Sequence, residues 1–310
     1  MEKKDVIRTV ETLADRWKNQ KIEVLTDEPM SSHTSFKAGG RAAALASAAS
    51  EEELRQILED AAGCRVPVLL LGNGSNTLFR DSGYPGVVVK LSAQGFGSAQ
   101  NLGGGRIRCG AAMLLSSLAK YILSASLTGF EFASGLPGSL GGAVFMNAGA
   151  YGGEMKDVLV SVRAVSPDGR TVREFSAEEL QLGYRRSILA ENGYIVTEAV
   201  LQLAPGNREE IAGKMKELTE QRNRKQPVQY PSAGSTFKRP EGYFAGKLIE
   251  DAGLKGVSVG GAQVSVLHSG FIINTGGATA TDILDLIALV QNTVYEKSGV
   301  KLEPEVRIVG

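Results

Sequence analysis

The sequence contains few of the residue types that common enzyme classes require. Its 310 residues include two histidines and two cysteines. Cys64 and Cys109 are far apart and form no CxxC pair, so neither a disulfide framework nor a zinc site is expected. The sequence has no HExxH or GxSxG motif, which disfavours metallohydrolase and serine-hydrolase chemistry. We predict no metal site, and redox chemistry would need a bound organic cofactor.

An excess of charge of either sign and long apolar runs are also lacking. Lys+Arg and Asp+Glu both total 34, and a net charge of zero argues against a nucleic-acid-binding protein. No apolar run approaches the roughly 20 residues needed to span a bilayer. The N-terminus is charged and leads into a predicted helix, unlike a signal peptide. We therefore expect a cytoplasmic protein without membrane or nucleic-acid partners and with no obligate protein partner evident.

Predicted strands and helices alternate irregularly, which favours an α+β fold over a doubly wound sheet. Apolar residues recur at helical spacing from Val6 to Trp17, and further helices are predicted at 208–225 and about 281–298. The Pro205-Gly206 break follows a predicted strand and indicates a domain boundary near residue 205. The predicted domains are an N-terminal helix and lead-in (1–32), a first domain (33–205) and a C-terminal domain (206–310).

Glycine, by contrast, is abundant and concentrated in one stretch. The sequence has 38 glycines, and seven of them fall in residues 135–153. Such density indicates backbone that passes close to another group or adopts positive φ. Exposed N–H groups without obstructing side chains suit a pyrophosphate. A pair of tight turns packed against a neighbouring layer is the alternative interpretation.

A second glycine loop, Gly72–Asn76, directly follows a predicted buried strand at 66–71. It lacks the lysine of a Walker A loop and the third glycine of the Rossmann fingerprint. A sharp turn without ligand is again the alternative, but two such loops favour a cradle for a dinucleotide. The cofactor-binding candidates are Gly72, Asn73, Gly74, Ser75 and Asn76 in one loop, and Pro137, Gly138, Ser139, Gly142, Asn147, Ala148 and Gly149 in the other.

The last predicted strand, residues 300–309, separates charged from apolar side chains. The period of two places Leu302, Pro304, Val306 and Ile308 on one face and Glu303, Glu305 and Arg307 on the other. The charged face is typical of a solvated edge strand, or of the wall of a substrate cleft. Periodicity does not choose between the two glutamates.

Five motifs in this order point to one family. They are Leu71-Gly72-Asn73-Gly74-Ser75-Asn76, the 135–153 stretch, Gly183-Tyr184-Arg185-Arg186-Ser187, Ala233-Gly234-Ser235-Thr236-Phe237-Lys238 and Glu303-Pro304-Glu305-Val306-Arg307. Together they resemble the UDP-N-acetylenolpyruvoylglucosamine reductases (UDP-N-acetylmuramate dehydrogenases) of bacterial peptidoglycan synthesis. The resemblance runs from about Thr34 to Gly310. No extra tyrosine-bearing loop fits after Tyr184, so the chain resembles the shorter subclass.

The resemblance implies a two-subdomain FAD-binding fold of the vanillyl-alcohol-oxidase type, followed by an α+β substrate domain. FAD would be bound non-covalently, and NADPH would be the co-substrate that reduces it. The hydride would then pass to the enolpyruvyl ether of a UDP-sugar, a small-molecule substrate, to give UDP-N-acetylmuramate. The catalytic residues carried over are Arg185, Ser235 and Glu305.

These residue types suit the implied reaction. Hydride addition to C3 leaves negative charge on C2 and its carboxylate, which the planar donor fork of Arg185 can hold. Ser235 can donate a proton to C2, and Glu305 can orient the site or share that proton. The substrate-binding candidates are Tyr184, Arg222, Lys225, Lys238, His268 and Arg307. Arg222 and Lys225 could equally form a solvated helix end. Arg239 stands where the longer subclass has asparagine, and we leave it out.

Two alternatives to a reductase stay open. One is an FAD oxidase of the same fold, although neither glycine loop offers a histidine or cysteine for covalent flavin attachment. The other is a non-catalytic module that binds a nucleotide or a flavin. The visible spectrum of the purified protein, with and without NADPH, distinguishes the three possibilities.

Overall fold

The computed structural model describes residues 2–310, which form two compact units. The chain passes between them several times, so each unit consists of three segments. The first unit contains the residues up to Thr26, Ala44–Asn73 and Gly86–Arg222. The second unit contains Asp27–Ala43, Gly74–Pro85 and Asn223–Gly310.

Helices and strands are mixed in both units. The helices of residues 2–310 are α1 (Lys3–Asn19), α2 (Glu51–Gly63), α3 (Ala93–Phe96), α4 (Leu115–Ser124), α5 (Leu140–Phe145), α6 (Leu189–Asn192), α7 (Arg208–Lys225), α8 (Ala245–Asp251) and α9 (Ala280–Ser298). The strands are β1 (Glu23–Pro29), β2 (Arg41–Ala48), β3 (Val68–Leu70), β4 (Thr77–Phe79), β5 (Tyr84–Leu91), β6 (Ala99–Gly103), β7 (Arg106–Gly110), β8 (Leu127–Thr128), β9 (Gly149–Ala150), β10 (Gly153–Glu154), β11 (Leu159–Val165), β12 (Val172–Ser176), β13 (Ile195–Gln202), β14 (Ala204–Pro205), β15 (Ser258–Val259), β16 (Ala262–Val264), β17 (Ile272–Asn274) and β18 (Arg307–Val309).

The first unit contains a five-stranded sheet and most of a four-stranded sheet. A four-stranded sheet has the order β1-β2-β5-β3, and a five-stranded antiparallel sheet has the order β12-β11-β13-β7-β6. Buried side chains of α4 and α5, such as Leu118 and Val144, form one core with inward side chains of the five-stranded sheet, such as Ile107. Because α5 belongs to this core, the core fixes the position of the glycine stretch that contains it.

The second unit packs α8 and α9 with a three-stranded antiparallel sheet, β15-β16-β17. Sequence signals define both ends of α9. Thr279 Oγ1 accepts a hydrogen bond from Asp282 N at 3.0 Å, and Gly299 ends the helix with φ 70°. Strand β18 pairs in parallel with β4, which brings the C-terminal segment beside the residues that follow the Gly72–Asn76 loop.

Local patterns predicted the helices better than the strands. The predicted helix at 208–225 matches α7, and the predicted strand at 300–309 contains only the three residues of β18. The predicted boundary at residue 205 differs from the observed division after Arg222. Strand β14 pairs with β8, and Gly206 lies against Thr128 and Ile211, so the start of α7 packs within the first unit.

The length and hydropathy of the helices were compared with those of membrane-spanning segments. Among residues 2–310, no helix is both long enough and apolar enough to cross a bilayer.

Candidate functional site

The glycine stretch presents unused hydrogen-bond donors just before and within the first turn of α5. Within residues 2–310, the N–H groups of Gly138, Ser139 and Gly142 have no acceptor, and the Ser139 hydroxyl has no partner. Ser139 is nonetheless 6% exposed. The neighbouring backbone is held in place, because Leu115 N donates to Gly138 O at 3.0 Å and Gly141 N to Ala111 O at 2.8 Å. These fixed donors suit an anionic group.

The end of the other glycine loop lies beside these donors in the first unit. A Cβ atom added to Gly72 would lie 2.7 Å from Ser139 Oγ, so only glycine allows this approach. Asn73 Nδ2 donates to Pro137 O at 2.5 Å and joins the two loops. The N–H groups of Gly72 and Asn73 also have no acceptor in the described chain. The two segments therefore form one cluster of backbone donors.

The far end of the glycine stretch has a structural explanation instead. Strands β9 and β10 form a hairpin whose central residues, Tyr151 and Gly152, have φ values of 53° and 86°, as a type I′ turn requires. Gly153 lies against Phe132, where a Cβ atom would be 2.6 Å from the ring. The tight-turn interpretation thus explains this hairpin. Cofactor contacts of Ala148 and Gly149 stay predictions.

Asn147 is completely buried, and protein groups already use its side-chain amide. Its Nδ2 donates to Glu154 Oε2 at 2.6 Å and to Gly183 O at 3.0 Å, and its Oδ1 accepts from Lys156 N at 2.9 Å. Its φ of 45° lies in the left-handed region that asparagine tolerates. A cofactor contact through this amide would need one of these bonds to break, so the predicted contact of Asn147 stays a prediction.

Arg185 lies at the tip of a tight turn in the first unit. Gly183 and Arg186 exchange backbone hydrogen bonds of 3.0 and 3.2 Å around Tyr184 and Arg185. Arg185 has φ 53°, a conformation that costs a residue with a β-carbon about 1–2 kcal/mol. Its half-buried guanidinium carbon lies 5.1 Å from the centroid of the Tyr184 ring. The adjacent Arg186 is exposed and paired with Glu191 at 2.8 Å.

In the second unit, the rest of the Gly72–Asn76 loop supports the C-terminal segment. Gly74 has φ 65°, and an added Cβ atom would lie 2.1 Å from His33 O. Backbone conformation and close packing therefore explain the glycine at this position. Asn76 Nδ2 donates to Glu305 O at 3.1 Å, and Arg307 N donates to Asn76 O at 3.0 Å. Asn76 therefore holds the backbone on both sides of Val306. Cofactor binding by Gly74, Ser75 and Asn76 stays a prediction.

The second unit brings the segments of Ser235 and Glu305 together. Glu305 N donates to Thr236 O and Lys238 N to Glu303 O, both at 2.8 Å. Thr236 is fully buried, whereas Ser235 is exposed and Glu305 half-buried. Gly234, with φ 76°, gives the chain its turn immediately before the serine. An accessible hydroxyl and a carboxylate thus lie on adjacent segments.

Three other predicted substrate-binding residues belong to the second unit. Lys238 is paired with Glu303 at 3.2 Å. His268 Nδ1 accepts a hydrogen bond from Gly270 N at 3.2 Å, and its ring lies 4.8 Å from that of Phe271. Burial lowers the pKa of His268. Arg307, at the start of β18, is exposed.

Arg222 and Lys225, both near the end of α7, have different environments. Arg222 belongs to the first unit and packs on the glycine stretch, with Cδ 3.2 Å from where a Cβ atom on Gly135 would lie. Burial lowers the pKa of its guanidinium, and in residues 2–310 no carboxylate pairs with it. A half-buried cation without a counter-ion suits an anionic ligand. Lys225 belongs to the second unit and is exposed.

Ser187, the last residue of the Arg185 motif, had no role predicted from the sequence. It is completely buried, and its hydroxyl donates to the carbonyl of Phe145 at the end of α5. The only sequence signal for a role of Ser187 was its position at the end of the Arg185 motif. Its partner, 42 residues away, could not be inferred from spacing.

Comparison with known proteins gives consistent matches. Residues 226–309 match the family model "UDP-N-acetylenolpyruvoylglucosamine reductase, C-terminal domain", and residues 42–174 match the model "FAD binding domain". UDP-N-acetylenolpyruvoylglucosamine reductase of Alkaliphilus oremlandii is 53% identical over 287 residues, covering 93% of each chain. The protein of that name from Clostridioides difficile is 50% identical over 290 residues, covering 94% of each.

A solved structure agrees over nearly the full length. The UDP-N-acetylenolpyruvylglucosamine reductase of Thermus caldophilus has a TM-score of 0.80 and 37% identity, and the match covers 93% of this chain and 99% of that one. Together with the two family models, it confirms the predicted α+β class with an FAD-binding domain and a C-terminal domain. FAD as the cofactor is also confirmed. The unused donors of the first unit fit a group that carries a pyrophosphate.

Proposed function

Because the chain belongs to the UDP-N-acetylenolpyruvoylglucosamine reductase family, we propose that it reduces UDP-N-acetylglucosamine enolpyruvate to UDP-N-acetylmuramate, with NADPH as reductant and FAD as cofactor. This reaction belongs to peptidoglycan precursor synthesis. One structural observation in this chain supports the proposal. It is the cluster of unused backbone donors at Gly72, Asn73, Gly138, Ser139 and Gly142, which suits the pyrophosphate of FAD.

The cofactor would be held without a covalent bond, by backbone rather than by charged side chains. The N–H groups of Gly138, Ser139 and Gly142 and the Ser139 hydroxyl would bind phosphate oxygens, assisted by the donors of Gly72 and Asn73. The half-buried guanidinium of Arg222 adds positive charge on the same glycine stretch. When bound, FAD accepts hydride from NADPH and supplies it to C3 of the enolpyruvyl group.

Arg185 would bind the carboxylate of the enolpyruvyl group. Two parallel N–H donors of a guanidinium match the two oxygens of a carboxylate. As hydride reaches C3, negative charge grows on C2 and on this carboxylate, so the contact is stronger in the transition state than in the ground state. The left-handed φ of Arg185 supports the assignment, because strained backbone is concentrated at functional sites.

Ser235 would donate the proton that completes the reduction at C2. Its hydroxyl is exposed, and its backbone is fixed because the next residue, Thr236, is buried and hydrogen-bonded at Oγ1 to Ile272 N. Glu305, on the adjacent segment, would orient the substrate or return a proton to Ser235. Hydride at C3 and a proton at C2 together balance the reaction.

Positive and polar side chains would bind the rest of the substrate and NADPH. We assign Tyr184, Arg222, Lys225, Lys238, His268 and Arg307 to this role. Lys238 would have to exchange Glu303 for a phosphate oxygen, which an exposed ion pair permits at little cost. Both cysteines are free thiols, which supports a location in the reducing cytoplasm.

A spectroscopic experiment on the purified protein tests the whole proposal. We expect a yellow protein whose flavin absorbance is bleached by NADPH under anaerobic conditions and restored by UDP-N-acetylglucosamine enolpyruvate. Bleaching without recovery by this substrate, but with rapid recovery by oxygen, would instead favour the FAD oxidase. A colourless protein that acquires no absorbance when FAD is added would contradict the proposal.

A further inference from the structure

The turn that carries Arg185 is attached at both ends to one short segment of the glycine stretch. On one side, Asn147 Nδ2 donates to Gly183 O at 3.0 Å. On the other side, the Ser187 hydroxyl donates to the carbonyl of Phe145. Both donors are completely buried. The two bonds therefore lie on either side of the four-residue turn. They attach it to Phe145, at the end of α5, and to Asn147, two residues further along the chain.

We infer that Asn147 and Ser187 are positioning residues that hold the Arg185 guanidinium at the site of hydride transfer. The inference extends the proposed function, because it requires Arg185 to bind the enolpyruvyl carboxylate. Neither residue needs to contact substrate or cofactor. Each would act through the backbone of the turn and would fix where the guanidinium lies.

The turn contains a residue in a strained conformation, which its attachment helps to hold in place. Two backbone hydrogen bonds join Gly183 and Arg186, and Arg185 is in the left-handed region. An isolated turn of this kind would exchange with other conformations, since left-handed φ costs a residue other than glycine about 1–2 kcal/mol. The donor residue of each outer bond is completely buried, so breaking either bond leaves an unsatisfied polar group and is unfavourable.

Asn147 is itself rigidly held. Its second Nδ2 hydrogen binds Glu154 Oε2 at 2.6 Å, and its Oδ1 accepts from Lys156 N at 2.9 Å. Glu154 is fixed in turn, because its N–H donates to Asp157 Oδ2 at 2.7 Å in a capping box. The amide therefore cannot rotate away from Gly183 without losing other bonds. This network links the Arg185 turn to the chain segment that begins at the proposed FAD donors.

Two variants and one matched control test the inference. Asn147→Ser shortens the side chain so that it no longer reaches Gly183, and Ser187→Ala removes the other bond with a minimal change of volume. The control is Thr197→Val, which removes a buried hydroxyl donor to the carbonyl of Arg163 in the same unit but does not contact the turn. FAD content, reduction by NADPH and reoxidation by the enolpyruvyl substrate would be measured for each.

For Ser187→Ala we expect reduction by NADPH to change by less than about twofold and reoxidation to slow by about 10- to 100-fold, the effect of a misplacement of about 1 Å. Asn147→Ser should slow reoxidation to a similar extent. Thr197→Val should leave both steps unchanged. If Asn147→Ser fails to bind FAD, Ser187→Ala decides the test, because it lies outside the glycine stretch. Normal reoxidation in Ser187→Ala, or equal slowing of both steps, would overturn the inference.

Combining each variant with Arg185→Lys separates positioning from other roles. If Asn147 and Ser187 act through Arg185, adding either variant to Arg185→Lys should slow reoxidation by no more than about a further twofold. Effects that multiply fully would overturn the inference and leave the proposed function intact. Normal reoxidation in Arg185→Lys alone would refute the role of the arginine itself, and with it the reason for positioning it.

Discussion

Gly142, on the first turn of α5, lies beside Ser139 with room for a methyl group: a Cβ atom added to Gly142 would lie 3.5 Å from Ser139 Oγ, an ordinary contact. Nothing within the protein therefore requires glycine at this position. Glycine within a helix destabilises it by about 0.5–1 kcal/mol relative to alanine. A bound group that approaches the backbone gives a reason for the glycine, and we assign this role to the pyrophosphate of FAD.

Replacing Gly142 by alanine should weaken FAD binding without loss of stability. We expect Gly142→Ala to fold at least as well as the unchanged protein and to bind FAD at least about tenfold more weakly, a loss of about 1.4 kcal/mol. The measurements are FAD titration of the apoprotein and its thermal unfolding. Unchanged FAD affinity would contradict the assignment of this backbone to the cofactor.

The neighbouring glycine gives a matched control with the opposite result. A Cβ atom on Gly141 would lie 2.9 Å from Ala111 Cβ, which is too close. Gly141→Ala should lower stability by about 1–3 kcal/mol through overpacking and retain FAD affinity once folded. If Gly141→Ala loses FAD while Gly142→Ala keeps it, Gly141 rather than Gly142 approaches the cofactor.

Arg185→Lys should reduce turnover strongly, because an ammonium has no bidentate fork. Lysine has the β-carbon that the turn already accommodates, so FAD content should be normal. We expect kcat/KM for the enolpyruvyl substrate to fall by about 10²-fold, the usual cost of losing one preorganised donor.

The adjacent arginine provides the control for this substitution. Arg186 is exposed and paired with Glu191, so Arg186→Lys should have nearly normal kcat/KM. Steady-state kinetics on both variants make the comparison. Equal losses in the two variants would show that general positive charge, rather than the Arg185 fork, assists the reaction.

His268 should make the folded protein less stable in acid. Burial lowers its pKa below the usual 6.5, so the unfolded chain binds the proton more readily than the folded one. This residue stabilises the fold fully above pH 6.5, and its contribution decreases as the pH falls towards the folded pKa. The variant His268→Asn keeps an acceptor for Gly270 N but does not titrate. Its free energy of unfolding should fall less than that of the unchanged protein between about pH 7.5 and about pH 5.5, which lie about one unit either side of the usual value. An identical decrease in both proteins, measured by denaturant unfolding, would refute this.

Features that depend on residues close together in the chain could be predicted from the sequence. Features that depend on contacts between distant residues could not. Helix α9 has its own capping box at Thr279 and its own stop at Gly299, so its ends were readable from local signals. The bond from Asn76 to Glu305, which spans 229 residues, has no local signature. The same limit applies to the division into two units, because the chain passes between them several times.

The candidate site was predictable in its parts, for the same physical reason. Glycine density indicated unusual backbone in residues 135–153, but composition could not separate the donors near Gly138 from the hairpin near Gly152. Only the three-dimensional environment distinguishes Gly142, where a Cβ atom would make only an ordinary contact, from Gly153, which packs on Phe132. The resemblance to a family supplied Arg185, Ser235 and Glu305, whose roles no spacing rule would give.

The central claim is that Ser235 donates the proton in the second half of the reaction. Hydride transfer from NADPH to FAD needs no proton from this residue, whereas completing the reduction at C2 does. Ser235→Ala removes one exposed hydroxyl and should leave folding and FAD binding unchanged. Ser235→Thr serves as the control, because it changes the shape of the side chain but keeps the hydroxyl that would donate the proton.

The decisive measurement is anaerobic stopped-flow absorbance of the flavin in Ser235→Ala, with each half-reaction followed separately. Flavin reduction by NADPH should proceed at a nearly normal rate. Reoxidation by UDP-N-acetylglucosamine enolpyruvate should slow by at least about 10²-fold, the lower end for a lost general acid. Equal slowing of both half-reactions, or normal rates in both, would contradict the account.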